Sequence, residues 1–210
     1  MKNILIVGAS GFGRELLQWI KDINANERNW NIMGFLDDNL NALDGYECDY
    51  RVIGRIVDWT PSSDEVFALA IANPQVKVKI VETLTKKGAE FATVIHSTAR
   101  VLPFARYGKG LVMYPGSCIG PNCIVGDYVT LLSSVLGHDV VVEDYSTISS
   151  LCGILGHVHI GKRVFIAGNA VIVPSKIVGN DVYVGAGSIV IRNVPAGKKV
   201  FGNPAKIFDV

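Results

Sequence analysis

LGHDVVVEDYSTISSLCGILGHVHIGKRVFIAGNAVIVPSKIVGNDVYVGAGSIV is the stretch from Leu136 to Val190, and it carries Ile, Leu or Val at every sixth residue. The set is Leu136, Val142, Ile148, Ile154, Ile160, Ile166, Ile172, Val178, Val184 and Val190. An amphipathic helix repeats at about 3.6 residues and a half-buried strand at about 2, so neither accounts for a run of sixes. A hexapeptide period is the mark of a left-handed or related parallel β-helix, a prism whose corners turn aliphatic side chains inward. Three hexads make one triangular coil. About five to six coils are therefore expected, each adding about 4.8 Å along the axis.

The same period runs back through Leu131, Val125, Ile119, Met113, Tyr107, Val101 and Ile95. Leu131 and Leu136 are five residues apart, so the lattice slips by one residue between them. Such irregularities mark sites in regular structures, as bulges do in sheets. His138 stands just after the slip. Two positions before a corner the residue is often small, as at Ser146, Cys152, Ala170 and Ser188, whereas Lys176 does not fit. The tail Pro195–Val210 leaves the repeat and contains Gly202-Asn203-Pro204-Ala205-Lys206. It is expected to cap the open end of the solenoid.

Ahead of the repeat, strand and helix patterns alternate. Asn3–Val7 reads as a strand, and Phe12, Leu16, Leu17, Ile20 and Ile23 follow at helical spacing. Asn31–Leu36 is a second strand, a short one lies near Val52, and Glu65–Ala72 is a third strong one. Pro74 suits a helix start, with Val76, Ile80, Val81 and Leu84 as the apolar face, and Glu90–Ile95 is a last strand. The expected organisation is an α/β Rossmann-like βαβ domain over 1–95, the β-helix over 96–195 and a cap over 196–210.

Gly8-Ala9-Ser10-Gly11-Phe12-Gly13 follows a strand and opens a helix, the setting in which a glycine loop cradles phosphate. Asp37 and Asp38 close the next strand, where a ribose- or base-binding acid sits in nucleotide folds. A plain tight turn flanked by solvated acids is the competing reading. A dinucleotide needs two mononucleotide halves, and 95 residues supply little more than one. A nucleoside diphosphate, with or without a sugar, fits the size better than NAD.

A hydrophobic content of 49% supports a sizeable core, and a net charge of +1 gives no case for nucleic acid or an anionic membrane. No apolar run reaches the roughly 20 residues of a membrane span, and the apolar start runs into the glycine turn and reads as a strand. Cys48, Cys118, Cys123 and Cys152 form no CxxC pair and suit free thiols in a reducing cytoplasm. Of the four histidines, His96 reads as structural or as a hinge. His138 beside Asp139 is the candidate general base, since a carboxylate can orient the ring and raise its basicity. A surface histidine is the alternative. A His138, His157 and His159 zinc site is conceivable, but His157 and His159 should share a strand face that His138 need not reach.

Gly8–Gly13, Phe35-Leu36-Asp37-Asp38, Gly137-His138-Asp139 and Gly202–Lys206 together resemble a known family over nearly the whole chain. It is the sialic acid O-acetyltransferase and nucleotide-amino-sugar N-acetyltransferase family of bacterial surface-glycan synthesis. The resemblance implies a cytoplasmic homotrimer that uses acetyl-CoA and no metal, on a UDP-, GDP- or dTDP-linked amino sugar. By position it implies His138 as general base and Asp139 as the group that raises its basicity. Ser10, Gly11, Phe12, Asp37, Asp38 and Asn73 would hold the nucleotide sugar. Thr147, Gly156, Gly168 and Ala186 would border acetyl-CoA. Thr147 stands where some relatives carry a second histidine near acetyl-CoA, and Asp139 where some carry Glu. Rival readings are a non-catalytic nucleotide-sugar-binding assembly protein, a zinc enzyme of the carbonic anhydrase type and an NAD-linked enzyme.

Overall fold

A computed structural model describes residues 1–27 and 29–208. The chain divides into two compact units, Met1–Ser97 and Thr98–Val210.

The first unit runs β1 (Lys2–Val7), α1 (Gly11–Asn26), β2 (Trp30–Leu36), β3 (Val52–Gly54), β4 (Glu65–Leu69), α2 (Pro74–Lys86) and β5 (Val94–Ile95). The first four strands form a parallel sheet in the order β3-β2-β1-β4. The central strand β1 has Ile4, Leu5, Ile6 and Val7 with no exposed surface, as expected of a parallel strand covered on both sides. The expected last strand is split into a single bridge at Phe91 against Phe67 and the short β5. Leu16, Leu17, Ile20 and Ile23 form the buried stripe of α1. In α2 the expected face is corrected. Lys77, Val81 and Leu84 are buried and Val76 is exposed. Positions 77, 81 and 84 stand at i, i+4 and i+7, so the stripe of Val81 and Leu84 takes in Lys77 and leaves Val76 on its flank.

The second unit is built of two-residue strands on three faces, joined by short turns. All ten members of the Leu136–Val190 series are inward-facing, each 1% exposed or less. Each such burial is worth roughly 1.5–3 kcal/mol, which is why the period survives along the whole stretch. Val101 and Tyr107 in the first coil are exposed, so the regular lattice begins at Met113. The small residues before the corners are buried too: Ser146, Cys152, Ala170 and Ser188 all lie at 2% exposure or less. One residue of each turn is left-handed, recurring every six positions from Asn169 to Ser175 and Asp181. Among non-glycine residues Asn and Asp adopt that backbone most readily, as at Asn122, Asp139, Asn169 and Asp181, but bulky residues such as Tyr128, Tyr145, Leu151 and Arg163 are held there too by the stacking of the turns.

The register locates the slip. Tyr107 pairs with Val125, and Val142 with Ile160, eighteen residues on. Val125 pairs with Val142, Leu131 with Ile148 and Ile119 with Leu136, seventeen residues on. The missing residue is absorbed in the turn Leu132–Ser134, three residues long where the turn at 137–140 has four. The slip therefore lies one corner before His138 and does not disturb its turn. The tail departs from expectation. Val194 bridges Val178 and Lys199–Phe201 pairs in parallel with Tyr183–Val184, so the chain adds one shortened coil beyond the hexapeptide run. Lys206–Phe208 then folds back antiparallel after a cis Asn203–Pro204 bond.

Candidate active site

The turns at 120–123, 137–140, 155–158 and 173–176 follow the strands of one face and stack coil on coil. Backbone bonds tie the stack: Asp139 N–H donates to Pro121 O at 3.0 Å, His157 N–H to His138 O at 3.0 Å and Ser175 N–H to Gly156 O at 3.0 Å. The left-handed residues of the column are Asn122, Asp139, His157 and Ser175. Three of these side chains converge on one point, and the middle one is a carboxylate.

His138 Nδ1 lies 2.8 Å from Asp139 Oδ2. An ionised carboxylate only accepts, so Nδ1 carries the hydrogen and Nε2 keeps its lone pair. Asn122 Nδ2 donates to the other oxygen, Oδ1, at 3.2 Å. The hydrogen bond from His138 holds the Asp139 carboxyl below the usual carboxylate range. Asn122 and the nearby His157 add to this, against a partial loss of hydration. His157 Nε2 stands 3.9 Å from Asp139 Oδ2. The His157 ring meets that of His138 edge to face, with centroids 5.0 Å apart. The floor beneath His138 is Gly156, where a Cβ would lie 2.5 Å from both Cε1 and Nε2 of the imidazole. Cys123 Sγ donates to Gly137 O beside this turn at 3.0 Å, and burial pushes its thiol up, as it does for Cys152. Neither is poised as a thiolate nucleophile.

The expected grouping of histidines is corrected. His157 lies in a turn and meets His138, whereas His159 lies on a strand and pairs with Glu143 Oε1 at 2.6 Å. The left-handed backbone at His157 breaks the strand alternation assumed between them. His96 is buried beside the Trp19 ring and lies 3.6 Å from Asp22. Gly168 and Ala186 occupy matching places in the turns at 167–170 and 185–188, a column apart from that of Gly156. The shortened turn Leu132–Ser134 belongs to that second column. Thr147 has no exposed surface and so presents none to a ligand.

In the first unit the glycine loop and Asn73 lie at the carboxyl ends of β1 and β4, neighbours on either side of the point where the strand order reverses. Ligands of open α/β sheets bind there. Gly8 has φ 100, and a Cβ on it would meet Ala70 O at 2.8 Å. One on Gly13 would meet Gly8 O at 2.0 Å. Both glycines are therefore required by packing. Ser10 is the N-cap of α1 by position but its hydroxyl makes no capping bond, with Gly11 and Phe12 opening the first turn. Asp37 Oδ2 accepts from Ala9 N–H at 2.8 Å and Oδ1 from Asn39 N–H at 2.9 Å, so this acid pins the glycine loop. Asp38 Oδ1 accepts from Val57 N–H at 3.2 Å. Asn73 caps α2, accepting from Gln75 and Val76 N–H at 3.0 and 3.1 Å.

Sequence reasoning missed Asn122 and His157 as neighbours of Asp139. The signal was present: Asn122 lies one short coil before Asp139 and His157 one full coil after it. A further cavity of about 340 Å³ lies where the coil ends, lined by Ile191, Arg192, Asn193, Val200, Pro204 and Lys206 among others.

Residues 3–84 match the PglD N-terminal domain family. GDP-perosamine N-acetyltransferase of Escherichia coli O157:H7 is 29% identical over 96% of this chain and 94% of its own length. Over nearly its whole length the chain is thus similar to a nucleotide-amino-sugar N-acetyltransferase. The acetyltransferase domain of PglB from Neisseria gonorrhoeae FA1090, solved with acetyl coenzyme A, is 25% identical, covers 99% of both chains and superposes with a TM-score of 0.87. PerB from Caulobacter crescentus, solved with CoA and GDP-perosamine, shares the fold at 22% identity and a TM-score of 0.89. It covers 100% of this chain and 98% of its own. The architecture is thus a Rossmann-like N-terminal unit followed by a left-handed β-helix. No helix among the described residues is long and apolar enough to cross a membrane.

Proposed function

We propose that this chain transfers the acetyl group of acetyl-CoA to the amine, or hydroxyl, of a nucleotide-linked sugar in bacterial surface-glycan synthesis. The observation that carries the reading is the His138 ring, bonded through Nδ1 to Asp139 and left with Nε2 as a proton acceptor on a turn of the solenoid. His138 Nε2 takes a proton from the sugar nitrogen as that nitrogen bonds to the acetyl carbon. The C–S bond breaks, and the imidazolium returns the proton to the departing thiolate. General-base assistance of this kind is worth roughly 10²–10⁴-fold.

The cavity at the end of the coil supports a binding mode. Ile191–Asn193 lie in the same turn column as His138, three coils further on, a span of about 14 Å at about 4.8 Å per coil. An extended thioester arm suits that span, with Arg192 and Lys206 offering positive charge to phosphate at the far end. Gly156 lies on the path. Gly168 and Ala186 would then border acetyl-CoA from a neighbouring prism in a homotrimer. Ser10, Gly11 and Phe12 offer the first turn of α1 to the nucleotide diphosphate. Asp37 and Asp38 serve that site by holding its loops, and Asn73 by capping α2 beside it. The reading places the protein in the cytoplasm, with no nucleic-acid or membrane partner.

The test is acetyl transfer measured by thiol release over a panel of UDP-, GDP- and dTDP-linked amino sugars. One of them should support turnover, and His138→Ala should lose at least about 10²-fold in kcat with its melting temperature unchanged. Near wild-type turnover in that variant would remove His138 as the base.

A further inference from the structure

Two imidazoles and one carboxylate from adjacent coils meet at the base, and the second imidazole has no task in the proton transfer just described. One ligand-type atom from each of His138, Asp139 and His157 lies within 4.8 Å of the others. The separations are 2.8 Å from His138 Nδ1 to Asp139 Oδ2 and 3.9 Å from that oxygen to His157 Nε2. A tetrahedral zinc ion with bonds of about 2.0–2.1 Å holds its ligands about 3.3 Å apart. These two separations bracket that value and the third pair lies within 4.8 Å, so side-chain rotation on a fixed backbone brings the three groups toward three corners of a tetrahedron. The stacked turns supply the fixed backbone, because His157 N–H is bonded to His138 O. Asn122, bonded to the remaining carboxylate oxygen, supplies the outer contact that orients a metal-binding carboxylate. Both histidines are well exposed, so an ion reaches them from solvent and keeps an open fourth position.

We infer that His138, Asp139 and His157 form an inhibitory site for a borderline-soft divalent cation of the zinc type. Imidazole nitrogen and a carboxylate oxygen suit zinc, copper or nickel, and suit the hard cations magnesium and calcium poorly. The ion is not a cofactor. Bound at Nδ1, the ion displaces the hydrogen held there and breaks the bond to Asp139; the neutral ring then carries its hydrogen on Nε2, which can no longer accept a proton, so the ion opposes the proton transfer rather than assisting it. The inhibitory half of this inference rests on the acetyltransferase reading; the binding half does not.

The experiment is a calorimetric titration of chelator-treated enzyme with zinc chloride in a non-coordinating buffer at neutral pH, without substrate. One ion per chain is expected, and magnesium chloride should give no saturable heat. His157→Asn keeps a residue suited to the left-handed backbone and should weaken zinc binding by at least about tenfold. In parallel, acetyl transfer by the wild type should fall with the same midpoint and return on adding chelator. Absence of saturable zinc binding, unchanged affinity in His157→Asn, or full turnover at saturating zinc would each overturn the inference. Failure of the acetyltransferase reading would look different: metal-free enzyme would show no transfer to any nucleotide sugar, with the calorimetric result untouched.

Discussion

Gly156 gives the sharpest test of how the base is held. Alanine at this position would place a Cβ 2.5 Å from Cε1 and Nε2 of His138. Ordinary carbon contacts are about 3.5–4.0 Å, so the ring must retreat by roughly 1 Å. Gly156 is not in the left-handed region, so alanine brings no backbone strain, and the loss of a glycine stabilises by about 0.4–1 kcal/mol through the unfolded chain. The ring has room to move, since 57% of the His138 side chain is exposed. Relief of the clash therefore costs little stability and instead breaks the 2.8 Å bond to Asp139. A misplacement of about 1 Å at a reacting group lowers rates by about 10²-fold, or about 2.7 kcal/mol in the barrier. The expected result for Gly156→Ala is a kcat about 10²-fold lower, an acetyl-CoA KM within about threefold and an unchanged melting temperature. Gly153→Ala is the control one strand earlier, because a Cβ there meets only Val171 at 3.9 Å. It should retain wild-type kinetics. Full activity in Gly156→Ala would refute the argument that this glycine makes room for the imidazole. A rise confined to the acetyl-CoA KM would assign the glycine to cofactor contact instead.

Three further outcomes follow from the geometry. Asp139→Asn should lower kcat by about tenfold, less than His138→Ala; because the His138 bond keeps Asp139 ionised down to pH values below the usual carboxylate range, the wild-type enzyme should show no rate loss from this group near pH 5, and kinetics between pH 5 and 8 check both points. Asp37→Ala frees Ala9 N–H and should raise the KM for the nucleotide sugar while leaving that for acetyl-CoA unchanged, with about 1–3 kcal/mol lost from the first unit in denaturant unfolding. Lys77 is fully buried and its amine is pushed down to about 7; between there and the ordinary 10.5 the unfolded chain binds a proton that the folded chain does not, so wild-type stability should rise with pH across that window. Lys77→Met should abolish the rise and be more stable at pH 7 by up to ~4 kcal/mol, and a wild-type melting temperature flat from pH 7 to 9 would contradict it.

The parts of this molecule that were legible in its sequence are those set by repetition. The solenoid could be read because one buried position recurs at fixed spacing, and even its slip showed as a five between Leu131 and Leu136. The proposed catalytic pair was legible because His138 and Asp139 are adjacent in the chain. Its other partners, Asn122 and His157, reach Asp139 from neighbouring coils, and finding them needs a coil length of seventeen on one side and eighteen on the other. The roles of Asp37 and Asp38 were hidden for a different reason. An acid at the end of a strand looks the same whether it faces a ribose or caps a backbone N–H, and here both cap. Val76 was placed inside by hydrophobicity, but helical phase put Lys77 there.

The slip itself calls for a different reading from the one its position suggested. It precedes His138 by only a few residues, yet register is restored on both sides, and the stacked turn carrying His138 has the ordinary four residues. The shortened turn Leu132–Ser134 lies in the column of Gly168 and Ala186, where acetyl-CoA is proposed to border the prism. Inserting one glycine between Leu132 and Ser133 should therefore restore a four-residue turn without moving the base. Leu132 and Ser133 are half-buried and Ser134 is buried, so the extra residue must be taken up between stacked turns and the melting temperature should fall by several degrees while the fold persists. The rate at saturating substrates should stay within about threefold, and any loss should appear in the acetyl-CoA KM. A folded variant with kcat reduced as far as in His138→Ala would mean that the slip does shape the base, and that the separation of scaffold irregularity from catalytic turn drawn from the register is mistaken.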